Sequence, residues 1–263
     1  MELWKAILLG VIQGLTEFLP VSSSGHLELA NWLFGIEESS NLPFTMALHA
    51  GTVLSTIVVF ARELGRLFRG IFKFQRNQES IFCFHILISL LPVLFVGLFL
   101  KDQVEALFTS HLALVGSMLL LTAGLLVVAH FAKPRNRALT LKSAFIIGIA
   151  QAVAVIPGLS RSGATISAGL MQGVRREEVA KFSFLMVLIP VIGMNLLEIF
   201  KGGISAGTGS VGVMHVLAGF LSAFVVGAFA CKWMVRLVSR GKLIGFAWYC
   251  GVVGVGAMAL WLL

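Results

Sequence analysis

The sequence predicts an all-α, polytopic membrane helical bundle: six spanning helices plus two re-entrant helical hairpins, arranged as an inverted-topology internal repeat. Composition, a series of apolar runs of membrane-crossing length, and one unusual segment that occurs twice together predict it. Hydrophobic residues make up 58% of the 263-residue chain and charged residues 12%, with a mean hydropathy of +0.96. A soluble domain carries about 25% charge, so the solvent for this chain is lipid. The repeated segment reads LGVIQGLTEFLPVSSSGHL from Leu9 to Leu27 and IGIAQAVAVIPGLSRSGATI from Ile147 to Ile166. At a common offset of 138 residues, Gly10 matches Gly148, Gln13 matches Gln151, Ser22 matches Ser160, Ser24 matches Ser162 and Gly25 matches Gly163.

Taken in order, Trp4 to Phe34 is the first hairpin. It is broken near its middle by Pro20 and a Ser/Gly turn, and a dozen or so residues on either side, at about 1.5 Å per residue, cannot cross a bilayer. A hydrocarbon core of roughly 30 Å takes about 20 apolar residues. Phe44 to Ala61, Ile81 to Leu100 and His111 to Phe131 meet that length. Ser143 to Gln172, broken at Pro157 and Gly158, is the second hairpin, and Phe182 to Phe200, Val211 to Met234 and Leu243 to Leu263 complete the spans. The chain reads as a single membrane domain, 1–263, made of repeat 1 (1–138) and repeat 2 (139–263). Irregular backbone survives at membrane depth only where protein buries it or water lines it. An N-terminal secretory signal is disfavoured, because Gln13 and Glu17 interrupt the apolar run after Lys5 and an equivalent segment recurs in mid-chain.

Charge placement gives orientation. Of the 20 Lys and Arg residues, 16 fall in Arg62 to Arg76, Lys133 to Lys142, Arg175 to Lys181 and Lys232 to Lys242. Six spans and two hairpins put all four stretches on one face, which the positive-inside rule makes cytoplasmic. Glu37, Glu38, Asp102, Glu105 and the loop from Gly202 to Gly212 then fall on the other face. Three true spans per half turn the second repeat upside down, so the hairpins approach from opposite sides and their tips meet near the midplane. The net charge of +8 is thus an orientation signal with some affinity for anionic lipid, not the footprint of a nucleic-acid partner. Cys83, Cys231 and Cys250 have no ligand spacing and read as small buried hydrophobes.

The two turns carry the chemistry. Gln13 and Glu17, four residues apart, share one helix face. Ser22, Ser23, Ser24 and Gly25 suit the start of the next helix, whose exposed N–H groups attract anions, and His26 and Glu28 follow. The second turn holds Ser160, Arg161, Ser162 and Thr165 and no acid, a set suited to gripping phosphate oxygens. Against these stand plainer readings: Glu17 bonded to loop amides, His26 a packed residue, Arg161 paired structurally with Glu17. An acid, hydroxyls and an imidazole on one turn and a phosphate clamp on the other suit hydrolysis of a phosphate or diphosphate ester. Gln13 and Glu17 can offer oxygen ligands to a divalent cation. Whether Ser23 attacks with His26 as base, or His26 attacks itself, stays open. His49, His85, His111, His130 and His215 have no motif around them, and Glu198, the one further acid inside a span, can face either the pocket or Lys201.

At these residues the chain resembles the undecaprenyl-pyrophosphate phosphatase family, bacterial integral-membrane enzymes that recycle the cell-wall lipid carrier. The family's first motif stands here as Gln13 to His26 and its second, Pro-Gly-x-Ser-Arg-Ser-Gly-Ala-Thr, as Pro157 to Thr165, and the likeness runs over nearly the whole chain. The resemblance implies hydrolysis of undecaprenyl pyrophosphate to undecaprenyl phosphate, dependence on Mg2+ or Ca2+, a role in peptidoglycan synthesis and bacitracin resistance, and a multi-pass place in the bacterial cytoplasmic membrane with the site open to the extracytoplasmic side. It implies catalytic roles for Glu17, Ser23, His26 and Arg161, phosphate contacts from Ser22, Ser24, Ser160, Arg161, Ser162 and Thr165, and cation ligation by Glu17 and Gln13. Gln13 stands where many members have Glu, which leaves the number of metal ions open. The expected partners are the polyprenyl pyrophosphate and membrane lipid, and a homo-oligomer is compatible with the chain. Two competing readings remain: a polyprenyl-phosphate transporter or flippase, which inverted repeats also build, and the histidine-nucleophile type 2 phosphatidic acid phosphatases. The latter use a second His six residues after the Ser-Arg arginine, where this chain has Ser167.

Overall fold

In lipid every backbone N–H and C=O must find a partner within the protein, and a helix supplies one for each residue. The computed structural model describes residues 1–36, 42–73, 75, 77–107, 112–133, 135–200 and 212–262, and among them the regular elements are α-helices. In chain order they are α1 (Leu3–Phe18), α2 (Ser23–Phe34), α3 (Leu42–Val59), α4 (Ala61–Ile71), α5 (Gln78–Phe99), α6 (Lys101–Leu107) and α7 (Leu112–Phe131). The second half holds α8 (Leu141–Val153), α9 (Arg161–Met171), α10 (Arg176–Met186), α11 (Leu188–Phe200), α12 (Val213–Ser239) and α13 (Ile244–Leu262). Glu37, Glu38, His111, Lys201, nearly all of the Gly202–Gly212 loop and the Glu198 side chain lie outside the described residues.

Among the described residues, five helical stretches are long and apolar enough to cross a membrane: α5, α7, Arg176–Leu197, α12 and α13. A sixth counts only if α3 and α4, bent by 73° where they join, make one span. The span expected at Phe44 to Ala61 therefore does not end in a loop. Past the bend the chain alternates Arg62, Glu63, Arg66 and Arg69 with Leu64, Leu67, Phe68 and Ile71, the two-faced pattern of a helix that lies along an interface. The span expected to begin at Phe182 is helical from Arg176, because its charged first turns are helix formers too. Pro190 falls in the first turn of α11, where a missing N–H costs no helical bond.

Each predicted hairpin returns to where it begins. The Trp4 and Phe34 rings meet edge to face at 5.6 Å, joining the start of α1 to the end of α2. Beside α8 and α9, the Arg137 N–H donates to Gly173 O at 2.9 Å and the Arg175 N–H to Arg137 O at 3.0 Å. The tips are built alike. Ser22 and Ser160 each cap the following helix, accepting from the N–H of Gly25 at 3.2 Å and of Gly163 at 3.1 Å. Gly158, at φ 87°, lies so close to the Val115 backbone that a Cβ would come within 2.7 Å of it, so both conformation and space demand glycine.

Small residues bring the helices together, as membrane packing requires. α1 lies against α12 with Gly10 facing Gly219 O and Ser222, and α8 lies against α5 with Gly148 facing the Ser89 backbone. The paired helices α7 and α13 hold one tip each. Thr122 of α7 accepts from the Ser160 N–H at 3.0 Å, and the Cys250 thiol of α13 points to Pro20 O at 3.5 Å. Ser162 Oγ donates to Leu19 O at 3.1 Å, tying tip to tip. Apolar side chains such as Leu98, Phe229 and Trp248 are more than 70% exposed on the outer surface, as lipid as solvent demands.

The four basic stretches gather at one end. Lys181 pairs with Glu63 at 2.9 Å, the Arg137–Arg175 bonds bring in a third stretch, and the Arg176 guanidinium lies against Gly241 of the fourth.

Candidate active site

Helical spacing puts Gln13 one turn before Glu17, and the turn after Pro20 brings Ser23, the first residue of α2, back onto the same carboxylate. Glu17 Oε2 accepts from Ser23 Oγ at 2.6 Å and from Gln13 Nε2 at 3.1 Å. Its Oε1 is ion-paired with Nη2 of Arg161, the first residue of α9. The Glu17 and Arg161 side chains are 12% and 18% exposed, so this charge pair is largely withdrawn from solvent. The first residues of two helices, Ser23 of α2 and Arg161 of α9, thus reach one carboxylate with their side chains.

Several buried polar atoms here have no partner. Arg161 Nη1, Gln13 Oε1 and both amide atoms of Gln151 are buried without a hydrogen bond. Such atoms cost roughly 1–3 kcal/mol each unless a ligand or water satisfies them. They lie on the two hairpins, and Gln13 and Gln151 occupy matching positions in the repeated segment.

The hydroxyls divide by burial. Ser22, Ser160, Ser162 and Thr165 are buried and bonded within the protein. Ser22 and Ser160 cap helices and approach Ser24 and Ser162 at 3.3 Å each. Thr165 donates to Arg161 O at 2.8 Å and meets Ser183 Oγ at 2.6 Å, so it fastens the first turn of α9 to α10. Ser23 and Ser24 are only half-buried.

His26 looks elsewhere. Its Nδ1 is 2.8 Å from Ser22 O, and its Nε2 is 2.8 Å from the Tyr249 hydroxyl, with the two rings stacked at 5.5 Å and 11°. The structure therefore gathers Gln13, Glu17, Ser23 and Arg161, while His26, one turn along α2, bonds to Ser22 and Tyr249. Ser23 Oγ donates its hydrogen bond to Glu17 and not to His26. Sequence reasoning missed Tyr249, Thr122 and Ser183. For Tyr249 one signal existed: it is the sole tyrosine, set in an apolar span. Among the described residues no three His, Cys, Asp or Glu side chains cluster as a metal site. Gln13 turns its Nε2 to Glu17, while its Oε1 is buried and without a partner, so one turn of α1 offers a carboxylate and an open amide oxygen, the hard donor types a divalent cation takes.

Known proteins carry the same arrangement of sequence. The chain is 52% identical over 259 residues to an undecaprenyl-diphosphatase of Bacteroides fragilis (strain YCH46), covering 97% of each. It is 51% identical over 267 residues to one of Parabacteroides distasonis, covering all of both chains. One from Korarchaeum cryptofilum is 38% identical over 269 residues, covering 99% of this chain and all of its own. The family model described as bacitracin resistance protein BacA matches residues 6–256, which takes in all but the first residues of the first hairpin, the whole of the second and all the helices between them. By that match and these identities, the chain belongs to the bacitracin resistance protein BacA family.

Proposed function

We propose that this chain hydrolyses undecaprenyl pyrophosphate, releasing inorganic phosphate and leaving undecaprenyl phosphate as the recycled carrier for cell-wall synthesis. The observation that carries the reading is Arg161: a buried guanidinium held by Glu17 through Nη2, with Nη1 turned to no partner. A phosphoryl oxygen supplies that partner, and the planar fork can hold two oxygens of one group. The relatives are named as diphosphatases and not as carriers, which favours hydrolysis over transport alone.

Glu17 beside a diphosphate is a like-charge contact, so the carboxylate works as a ligand rather than as a direct neighbour of the phosphates. Glu17 and Gln13 are the residues to hold Mg2+ or Ca2+, and the cation's contribution there is to screen charge on the phosphate oxygens. Ser23 and the α2 and α9 N-termini add hydrogen-bond donors around the transferred group. Ser22, Ser24, Ser160, Ser162 and Thr165 keep both turns in shape, with Ser24 able to turn toward substrate. His26 is the catalytic imidazole, taking a proton from water through the Tyr249 hydroxyl that its Nε2 holds, or attacking phosphorus itself once that hydroxyl moves off.

Six spans, two re-entrant hairpins and an inverted repeat dividing the one domain at about residue 138 complete the proposal. Supporting it, the contacts exchange between halves: α1 with α12 matches α8 with α5, and Gly10 matches Gly148 at those two contacts. The gathered basic stretches support a cytoplasmic face there, with the first hairpin and its site reached from the extracytoplasmic side of the bacterial inner membrane.

The test is phosphate release from undecaprenyl pyrophosphate by purified protein in detergent, where no gradient exists. Turnover that is lost on chelation and restored by Mg2+ or Ca2+ is expected. No release under any cation would refute hydrolysis and return the carrier reading to the front.

A further inference from the structure

His26 carries both nitrogens engaged, and its two partners differ in kind. Ser22 O is a carbonyl and can only accept, so Nδ1 carries the hydrogen and Nε2 presents its lone pair. The Tyr249 hydroxyl, 2.8 Å away, then donates to Nε2, and the two rings run nearly parallel, 11° apart, with their centroids 5.5 Å apart. Tyr249 comes from α13, the same helix whose Cys250 touches Pro20 O at the first hairpin's tip, so the support is rooted in a long apolar helix that packs on that tip.

We propose that Tyr249 is a positioning residue that fixes the orientation and tautomer of the His26 imidazole for turnover, a proposal that rests on His26 being the catalytic imidazole. A hydroxyl suits a ring that must change protonation. Nε2 has a single lone pair, directed at that hydroxyl, so a proton reaches it through the tyrosine oxygen: the hydroxyl hydrogen passes to Nε2 as water gives one to the oxygen, and the oxygen then accepts from the new N–H. The proton that Nε2 gains from water returns to the departing phosphate oxygen or to solvent, and the tyrosine neither gains nor loses one overall. A carboxylate in its place would hold the ring as imidazolium and block that exchange. The near-parallel ring contact restricts ring rotation separately from the hydrogen bond, so the two contributions can be removed one at a time.

The experiment uses the full chain in detergent with Tyr249→Phe, Tyr249→Leu, His26→Ala and the His26→Ala/Tyr249→Phe double variant. Tyr249→Phe keeps the stacking and should lower kcat about tenfold, the worth of one hydrogen bond to the reacting group, with KM within about twofold. Tyr249→Leu should lose more. In the His26→Ala background the Phe substitution should change the residual rate by less than about twofold, because its effect acts through the ring. Where that residual rate is too low to measure, the 15N resonance of His26 Nε2 decides: accepting a hydrogen bond moves it upfield, and it should return toward the free-imidazole position in Tyr249→Phe. An unchanged kcat in Tyr249→Phe, an equal loss in both backgrounds, or an unmoved Nε2 resonance overturns the proposal. Full turnover in His26→Ala is a different failure: it removes His26 from the chemistry and this proposal with it.

Discussion

Replacing Glu17 by Gln leaves the shape of the side chain and removes its charge. The carboxylate accepts from Ser23 at 2.6 Å and Gln13 at 3.1 Å on one oxygen, and pairs with Arg161 on the other. An amide retains one oxygen and turns an NH2 toward a donor at the other position, so one of these contacts becomes donor against donor. Whichever way it flips, Arg161, 18% exposed, keeps its charge without a counter-ion. Breaking a buried pair from one side costs about 3–5 kcal/mol, while removing both charges is often nearly neutral. Glu17→Gln should therefore lower stability by about that amount, and Glu17→Gln/Arg161→Met should recover most of it, a coupling well beyond the roughly 0.5 kcal/mol scatter of independent sites. Unfolding of detergent-solubilised protein by denaturing detergent, followed by the fluorescence of the five tryptophans, measures all four corners of the cycle. Inorganic phosphate should stabilise Glu17→Gln more than wild type, because the unpaired guanidinium takes the anion that the carboxylate otherwise opposes. A double variant as unstable as the sum of its singles would refute the reasoning, and so would phosphate that stabilises wild type more.

Arg161→Lys should lose at least about tenfold in turnover although it keeps the charge, since a single ammonium cannot hold two phosphoryl oxygens at once; near-normal kcat would leave Arg161 only a structural partner of Glu17. Rapid quenching should trap a phosphoenzyme that is acid-labile and base-stable if His26 attacks, and an acid-stable adduct would transfer that role to Ser23. Single cysteines at Asn77 and Glu177 should react with an impermeant thiol reagent only after cells are permeabilised, and one at Asp102 in intact cells. Opposite sidedness for Asn136 and Glu177 would show that the second hairpin spans the membrane. Gly148→Val should disrupt assembly or stability, because a side chain there runs into the Ser89 backbone of α5, while Gly97→Ala, with open space around it, should be neutral.

What the sequence by itself determined is local or summed over the whole chain. Apolar length marks α5, α7, α12 and α13 to within a few residues, since lipid thickness sets a count that can be read without knowing any contact. Pro20 and Pro157 break the two hairpins whatever surrounds them, and the i, i+4 spacing alone puts Gln13 beside Glu17. Opposite behaviour marks the features that only tertiary structure decided. The 73° bend after α3 lies in a stretch whose charges read equally well as a loop, and turning it into α4 depends on Leu67 finding buried packing while its charged neighbours stay outside. Ser22, Ser160 and Thr165 look like phosphate ligands by residue type, and only the tertiary structure shows that their hydroxyls also close the turns, Ser22 and Ser160 accepting from the Gly25 and Gly163 N–H groups and Thr165 donating to Arg161 O. The pairing of Glu17 with Arg161 and of His26 with Tyr249 joins residues far apart in the chain, 144 and 223 positions. No local spacing encodes such contacts. They exist because glycines at Gly10 and Gly148 let α1 and α8 press against α12 and α5, and that close approach carries the two hairpin tips to the same point.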